Sequence, residues 1–257
     1  MSKNNYKLAF KYESMRRKYA EMHEYSKLKK MYSSKYQEIP DLNTQQLWNE
    51  LNSKHSSNSK SNFMEKDKLK VVKNWISGSK KILNIGFGSA NLEEVVLLNE
   101  KYDWTGIDIS DESVLVAKQK YKNASFSLGD VRDLKFNDNT FDIVVMLEVL
   151  EHIPPRYTFM AFREINRVLK KNGKLILSIP LNEGLESLIN SNKNPNAHVR
   201  DYSIKLVRAE LDIAGFIYIR HKVFYAFNNL YMLKKILAYF FKGKWKPNGF
   251  LIESIKK

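Results

Sequence analysis

Residues 81–91 read KILNIGFGSAN. A short apolar run, Ile82, Leu83 and Ile85, ends in Gly86-Phe87-Gly88 and flows into Asn91-Leu92-Glu93-Glu94-Val95-Val96-Leu97-Leu98. The pattern predicts a buried strand, a tight glycine turn and a helix start. Glycines lack Cβ atoms, so the backbone can turn sharply and let a ligand lie against it. A second run, TGIDIS (105–110), puts Asp108 at the end of the next expected strand. The interval from Gly86 to Asp108 is close to the roughly 20 residues that place a carboxylate on ribose hydroxyls in a βαβ nucleoside site.

Further segments fall in register with one fold. Ala124–Leu128 reads as a short strand ahead of Asp130. FDIVVMLEVLEHI (141–153) reads as a buried strand entering a loop with Glu148, Glu151 and His152. FREINRVLKKNGKLILSIP (162–180) reads as an amphipathic helix, a turn at Asn172-Gly173 and another strand. A dinucleotide fingerprint would need Gly or Ala at position 91 to set a helix N-terminus against a pyrophosphate. Asn91 stands there, which weakens the phosphate reading.

The set resembles the class I S-adenosylmethionine-dependent methyltransferases, in their small-molecule, type 11-like branch. The resemblance covers about residues 65–225 and a final strand near 249–256. The family pattern E/D-x-G-x-G-x-G is met by Asn84, Gly86, Gly88 and Ala90. It implies an α/β fold: a Rossmann-like, seven-stranded, mostly parallel sheet with an antiparallel C-terminal hairpin, plus an N-terminal helical extension. It implies S-adenosyl-L-methionine as cofactor. Asp108 would hold the ribose, Asp130 and Val131 the adenine, and Gly86, Gly88 and Asn84 the methionine end. Phe87, Ile109 and Leu147 complete the expected cofactor site. Family members carry an acid where this chain has Asn84. An amide can still accept a hydrogen bond but offers no charge attraction, so weaker cofactor binding is expected.

Composition bounds the rest. A chain of 257 residues can bury a substantial core. No apolar run approaches the ~18 residues of a transmembrane helix. The polar start MSKNNYKLAFKYES lacks a signal-peptide core. The absence of cysteine excludes disulfides and thiolate metal sites and fits a reducing cytosol. The expected location is cytoplasmic. No metal site is expected either: Glu148 and His152 are four apart but sit at a strand-to-loop transition rather than on a helix.

The net charge of +15 is unevenly spread. Residues 1–40 hold ten Lys/Arg against four Glu, and residues 216–257 hold nine against one. The middle of the chain is nearly neutral. Basic ends can attract anionic membrane, nucleic acid or acidic glycan, or they can simply be solvated. Peripheral contact with a membrane surface therefore stays open.

Residues 1–62 are expected to form a helical lid or extension with a polar linker, and 63–257 the core. Residues 1–37 read as one or two helices, with Tyr6, Tyr12, Tyr19, Tyr25, Tyr32 and Tyr36 at intervals that let them share a packing face. A short helix over 44–51, capped by Asp41 or Asn43, follows Pro40. SKHSSNSKSN (53–62) reads as a hinge, and a helix over 65–76 opens the core. Toward the C-terminus, strands over 214–225 and 248–257 flank a helix over 228–246. That helix is apolar at Leu230, Leu233, Ile236, Leu237, Phe240 and Phe241, with lysines alongside. The preferred reading packs it on the sheet, and a membrane-interface helix is the alternative.

Methyl transfer from a sulfonium needs alignment above all, and a hydroxyl acceptor also benefits from a general base. His152 is the candidate base, because it follows the fourth strand at the carboxyl end of the sheet, where open α/β folds bind ligands. Glu148 is a candidate acceptor contact. Similar enzymes show a His-Val-Arg-x-Tyr/Phe-Ser segment after the fifth strand, so the resemblance turns His198, Arg200 and Tyr202 toward the acceptor. The expected function is O-methylation of a small-molecule or lipid- or glycan-linked acceptor. Two alternatives remain: an RNA methyltransferase using the basic ends, and a cofactor-binding but inactive scaffold. The chain lacks the N/D-P-P-[FYW] motif of amino-group methylation.

Overall fold

Strand β1 (Lys81–Ile85) lies between β2 (Asp103–Asp108) and β4 (Phe141–Leu147), and all three run parallel. The structure is a computed structural model describing residues 12–37, 41, 43–55, 62–97, 102–193, 197–227, 229–241 and 243–257. With β3 (Ser125–Leu128), β5 (Leu169–Pro180), β6 (Phe216–Phe224) and β7 (Gly249–Lys256), one seven-stranded sheet forms in the order β3-β2-β1-β4-β5-β7-β6. Strands β1–β5 are parallel, while β7 inserts antiparallel between β5 and β6. The chain reverses direction across the sheet between β1 and β4, so a crevice opens at their carboxyl ends.

The helices in chain order are α1 (Glu13–Glu21), α2 (Tyr25–Ser34), α3 (Gln45–His55), α4 (Phe63–Ile76), α5 (Asn91–Val96) and α6 (Asp111–Lys120). They continue with α7 (Thr158–Val168), α8 (Leu185–Asn190), α9 (Ile204–Ile213) and α10 (Tyr231–Phe240). Side-chain caps fix several starts. The Asn62 carbonyl accepts from Glu65 N at 2.9 Å, and Ser203 Oγ accepts from Leu206 N at 3.2 Å. Such caps contribute about 1 kcal/mol each.

Two apolar layers sandwich the sheet. One holds Leu69, Val72, Ile76, Trp104, Val114 and Ala117 from α4, β2 and α6. The other joins Leu28, Met31, Tyr32 and Tyr36 to Phe162, Ile165, Leu206 and Val207 from α7 and α9. Tyr12, Tyr19 and Tyr25 pack against the second layer, so the described tyrosines share a packing face. Tyr6 lies outside the described residues.

A buried polar network ties α1 and α2 to α9. Arg16, fully buried, donates from Nε to Glu13 at 3.0 Å and from Nη2 to the Asp201 carbonyl at 3.1 Å. Its guanidinium stands over Tyr32 and Tyr202. Both tyrosine hydroxyls donate to the Glu210 carboxylate.

Four expectations change. Asn172-Gly173 is not a turn before a strand but lies inside β5. The pairing jumps from Phe141–Leu169 to Ile143–Lys174, and the extra residues bulge out with Asn172 at φ +61°. Helix α3 begins at Gln45, where Thr44 Oγ1 accepts from Leu47 N, so neither Asp41 nor Asn43 caps it. Of the expected hinge, residues 53–55 end α3 and Asn62 caps α4, while 56–61 lie outside the described residues. Helix α10 does not bury its apolar stripe. Leu230 is 69% exposed, Tyr239 72% and Phe240 71%, and within α10 only Tyr231 and Ala238 are buried.

Candidate active site

The turn after β1 is built for glycine. Gly86 sits at φ +70°, and a Cβ there would meet Val149 Cγ2 at 2.4 Å. Gly88, at φ +50°, would meet nothing within 4 Å, so its outer side is open. The Gly88 N–H donates to Asp108 Oδ2 at 2.8 Å, and Ser110 N donates to Oδ1 at 2.9 Å. Two loop ends are thereby locked together, with the Asp108 carboxylate at the base of the crevice. Burial holds Asp108 above the usual carboxylate range despite these donors.

One cavity of about 640 Å³ runs along the carboxyl ends of the strands. Gly86, Gly88, Asp108, Ile109, Asp130 and Val131 line one part of it, and Glu148, His152 and His198 another. Asp41, Asn43, Trp48, Leu51 and Asn52 close it from the N-terminal side. Those residues are anchored across the chain. Asn43 Nδ2 donates to the His152 carbonyl at 2.8 Å, Asn52 Nδ2 to Ser113 Oγ at 2.8 Å, and Arg132 pairs with both Asp41 and Asp130. Trp48 meets the His152 ring edge-on at 4.7 Å. Neither Trp48 nor Asn43 belonged to the expected site; the sequence offered Asn43 only as a helix cap and Trp48 only as part of the short helix over 44–51.

Five expected site residues stand elsewhere. Asn84 is buried and turned away from the cavity; its Nδ2 donates to Glu93 Oε1 at 2.7 Å. Trp104 Nε1 donates to the same oxygen at 3.0 Å. Phe87 packs into the apolar layer against Phe126, and Leu147 packs against the same layer. Arg200 and Tyr202 face the core rather than an acceptor. Arg200, fully buried, donates twice to the Leu150 carbonyl (3.0 and 2.6 Å) and once to Thr158 Oγ1 at 2.7 Å. It also lies 3.7 Å from Glu210. The segment around Arg200 is tied to the turn Leu150–His152, where Val199 N donates to the Glu151 carbonyl at 3.1 Å. Arg200 therefore braces the turn that carries Glu151 and His152.

Electrostatics divide the acids. Burial alone would raise Glu148, but the Lys68 ammonium at 2.9 Å and hydrogen bonds from Ser178 and Lys68 hold it below the usual range. Burial, and then the Glu148 charge, push Glu151 well above that range. Burial, and then His198, push His152 down to about 3. Its imidazole is thus neutral near pH 7, and a rate limb from its protonation falls near pH 3 rather than near neutrality.

Burial also raises Glu93 from the usual 4.5 to about 7. The folded state then binds more protons than the unfolded chain between these values, so this site loses stability as pH rises from about 4.5 to about 7. Glu93→Gln keeps an oxygen for Asn84 and Trp104 but cannot ionise. Thermal melts of the two proteins compared across that window are expected to show the wild type losing ground to the variant with rising pH. Parallel pH curves would contradict the assignment.

Residues 83–177 match a family described as a methyltransferase domain. The demethylmenaquinone methyltransferase of Thermotoga maritima is 26% identical over 98 residues, covering 38% of this chain and 42% of that protein. The chain thus spans less than half the length of that curated relative. Among solved structures, the [4+2]-cyclase SpnF is similar with a TM-score of 0.57 at 18% identity, over 78% of this chain and 84% of the other. The phosphoethanolamine N-methyltransferase 2 of Haemonchus contortus, in complex with S-adenosyl-L-methionine, has a TM-score of 0.56 at 17% identity, over 74% and 52%. The glycine turn, the acid closing β2 and most of the parallel sheet fall within or beside the segment that matches the methyltransferase domain, and the solved structures share the fold.

Proposed function

We propose that this protein transfers a methyl group from S-adenosyl-L-methionine to an oxygen of a small-molecule or lipid- or glycan-linked acceptor. The observation that carries this reading is the single cavity joining the Gly86–Gly88 turn and Asp108 to Glu148, His152 and His198. The demethylmenaquinone methyltransferase match supports a small-molecule acceptor. The open side of Gly88 leaves room for the cofactor, and the Asp108 carboxylate keeps lone pairs for two ribose hydroxyls. Asp130 and Val131 flank the adenine, while Gly86 and Ile109 line the path toward the methionine end. Asn84 contributes from behind the turn, by holding Glu93.

When bound, the cofactor supplies a methyl already activated by its positive sulfur. The chain's own task is to align an acceptor oxygen, exclude water and take up the hydroxyl proton. Trp48, Leu51 and Ile153 supply apolar wall. A lone imidazole held at about 3 is a weak base. His152 alone therefore does not account for proton uptake, and Glu148 and His198 line the same part of the cavity. Incubation with methyl-labelled cofactor and a panel of hydroxyl compounds tests the reading. Labelled O-methyl product and S-adenosylhomocysteine are expected together; cofactor binding without turnover across the panel would favour an inactive scaffold.

A lipid-linked acceptor is supported by α10. Its exposed Leu230, Leu233, Ile236, Tyr239, Phe240 and Phe241 form an apolar face with Lys234, Lys244 and Lys246 nearby. No helix among the described residues is long and apolar enough to cross a membrane. A basic amphipathic helix of this kind lies in the interface of an anionic bilayer. Phe240→Ser with Tyr239→Ser is expected to reduce co-sedimentation with phosphatidylserine-containing vesicles about tenfold or more, from the apolar area lost. Equal binding of wild type to neutral vesicles, or unchanged binding of the variant, would contradict it.

A further inference from the structure

Glu151 is fully buried, and neither of its carboxylate oxygens has a hydrogen-bond partner among the described residues. An unsatisfied buried carboxylate is costly and calls for a specific cause. Two imidazoles lie close to it. His152 Nε2 lies 4.0 Å from Glu151 Oε1, and His198 Nε2 lies 3.9 Å from the same oxygen. Both distances exceed hydrogen-bonding range.

The far sides of the two rings explain how they are aimed. His152 Nδ1 is 3.4 Å from the Ala197 carbonyl, which can only accept, so Nδ1 carries the proton and Nε2 offers a lone pair. His198 Nδ1 is 2.7 Å from Glu183 Oε2, which turns its Nε2 toward Glu151 in the same way. The rings meet edge-to-face at 4.7 Å. One Glu151 oxygen and one nitrogen from each ring thus converge within a few ångströms of one another.

We propose that Glu151, His152 and His198 form a binding site for one divalent transition-metal ion. One ligand atom from each residue falls within 4.8 Å of the others. An ion about 2.1 Å from each ligand sets neighbouring ligands about 3.0–3.6 Å apart, so the pairs at 3.9 and 4.0 Å would draw in by about 0.3–1 Å and the widest, up to 4.8 Å, by about 1 Å or more. Two imidazoles and one carboxylate suit Zn²⁺, Fe²⁺, Mn²⁺ or Co²⁺ and leave coordination positions open. Those positions are available to the cavity that His152 and His198 line. The Glu183–His198 and Ala197–His152 contacts are the outer partners that metal-bound histidines usually have. Arg200, bonded to the Leu150 carbonyl, holds the turn in place. Among the described residues the Glu151 oxygens have no hydrogen-bond partner, and an ion would supply one.

This inference deepens the proposed function by placing an ion at the acceptor end, but it is measured without cofactor or acceptor. The full chain, stripped with a chelator, is titrated with Co²⁺ alone and followed by visible absorption and calorimetry. One equivalent is expected to bind with ligand-field bands. Glu151→Gln is expected to weaken binding at least about a hundredfold, and Glu183→Gln, which spares every ligand, about 10–100-fold. Circular dichroism establishes that each variant is folded; should Glu151→Gln unfold, His198→Ala serves in its place. Absence of Co²⁺ and Zn²⁺ binding by the wild type at millimolar metal would overturn the site, as would unchanged affinity in folded Glu151→Gln or His198→Ala. Binding of S-adenosylmethionine by the metal-free protein is scored separately, so failure of the metal site and failure of the methyltransferase reading remain distinct.

Discussion

Replacing Asp108 by alanine is expected to weaken S-adenosylmethionine binding at least about tenfold. Charge-assisted hydrogen bonds to two ribose hydroxyls are worth roughly 1.5–3 kcal/mol, which sets that factor. The same carboxylate also accepts from Gly88 N and Ser110 N, so alanine loosens the turn as well. Asp108→Asn separates the two effects, because its carbonyl preserves one of those acceptors while removing the charge. Calorimetry on both variants, with thermal melting to confirm folding, checks the prediction. Wild-type affinity in either folded variant would remove Asp108 from the ribose site.

The second large effect is on stability. Arg200 is buried beside Glu210, Thr158 and the Leu150 carbonyl, and Arg200→Ala strips all of these at once. Breaking one side of a buried ion pair costs about 3–5 kcal/mol. Glu210 keeps its two tyrosine donors, which moderates the loss but does not neutralise its charge. A melting-temperature drop of roughly 6–20 °C is expected for a chain of this size. Arg200→Met combined with Glu210→Gln should recover part of it, since no charge is left unpaired and the amide oxygen still accepts from the tyrosines. A drop of a degree or two in Arg200→Ala, with altered acceptor affinity, would instead restore the substrate-facing role expected from the sequence.

The parallel sheet was legible because each strand is short, apolar and followed by a chemically distinctive loop. The Gly86–Gly88 turn, Asp108 and the 141–153 segment all fall where strand ends demand them. The antiparallel C-terminal pair was likewise legible, although only through resemblance. What escaped was side-chain direction. Asn84, Phe87, Arg200 and Tyr202 each sit in a motif next to the crevice, yet a motif fixes backbone position, not the side to which a side chain turns. Asn84 turns inward because Glu93, nine residues along, needs a donor. Arg200 turns inward toward Glu210 and the Leu150 carbonyl.

The exposed stripe of α10 was misjudged for a related reason. Periodicity shows that an apolar face exists, not what covers it. The covering strap also had weak signals. Asn43 and Trp48 reach the cavity through contacts to His152, more than a hundred residues away, and no local pattern encodes such a pairing. The metal cluster joins neighbours at 151 and 152 to a residue from another loop. Its clearest mark, a carboxylate without a partner, exists only once the chain is folded.

A crystal structure of the protein grown with S-adenosylmethionine tests the central claim most directly. The ribose hydroxyls are expected within hydrogen-bonding distance of the Asp108 carboxylate, the adenine beside Asp130 and Val131, and the methyl directed toward Glu148, His152 and His198. A cofactor bound elsewhere, or seated in the cavity with its methyl turned away from those three residues, would contradict it.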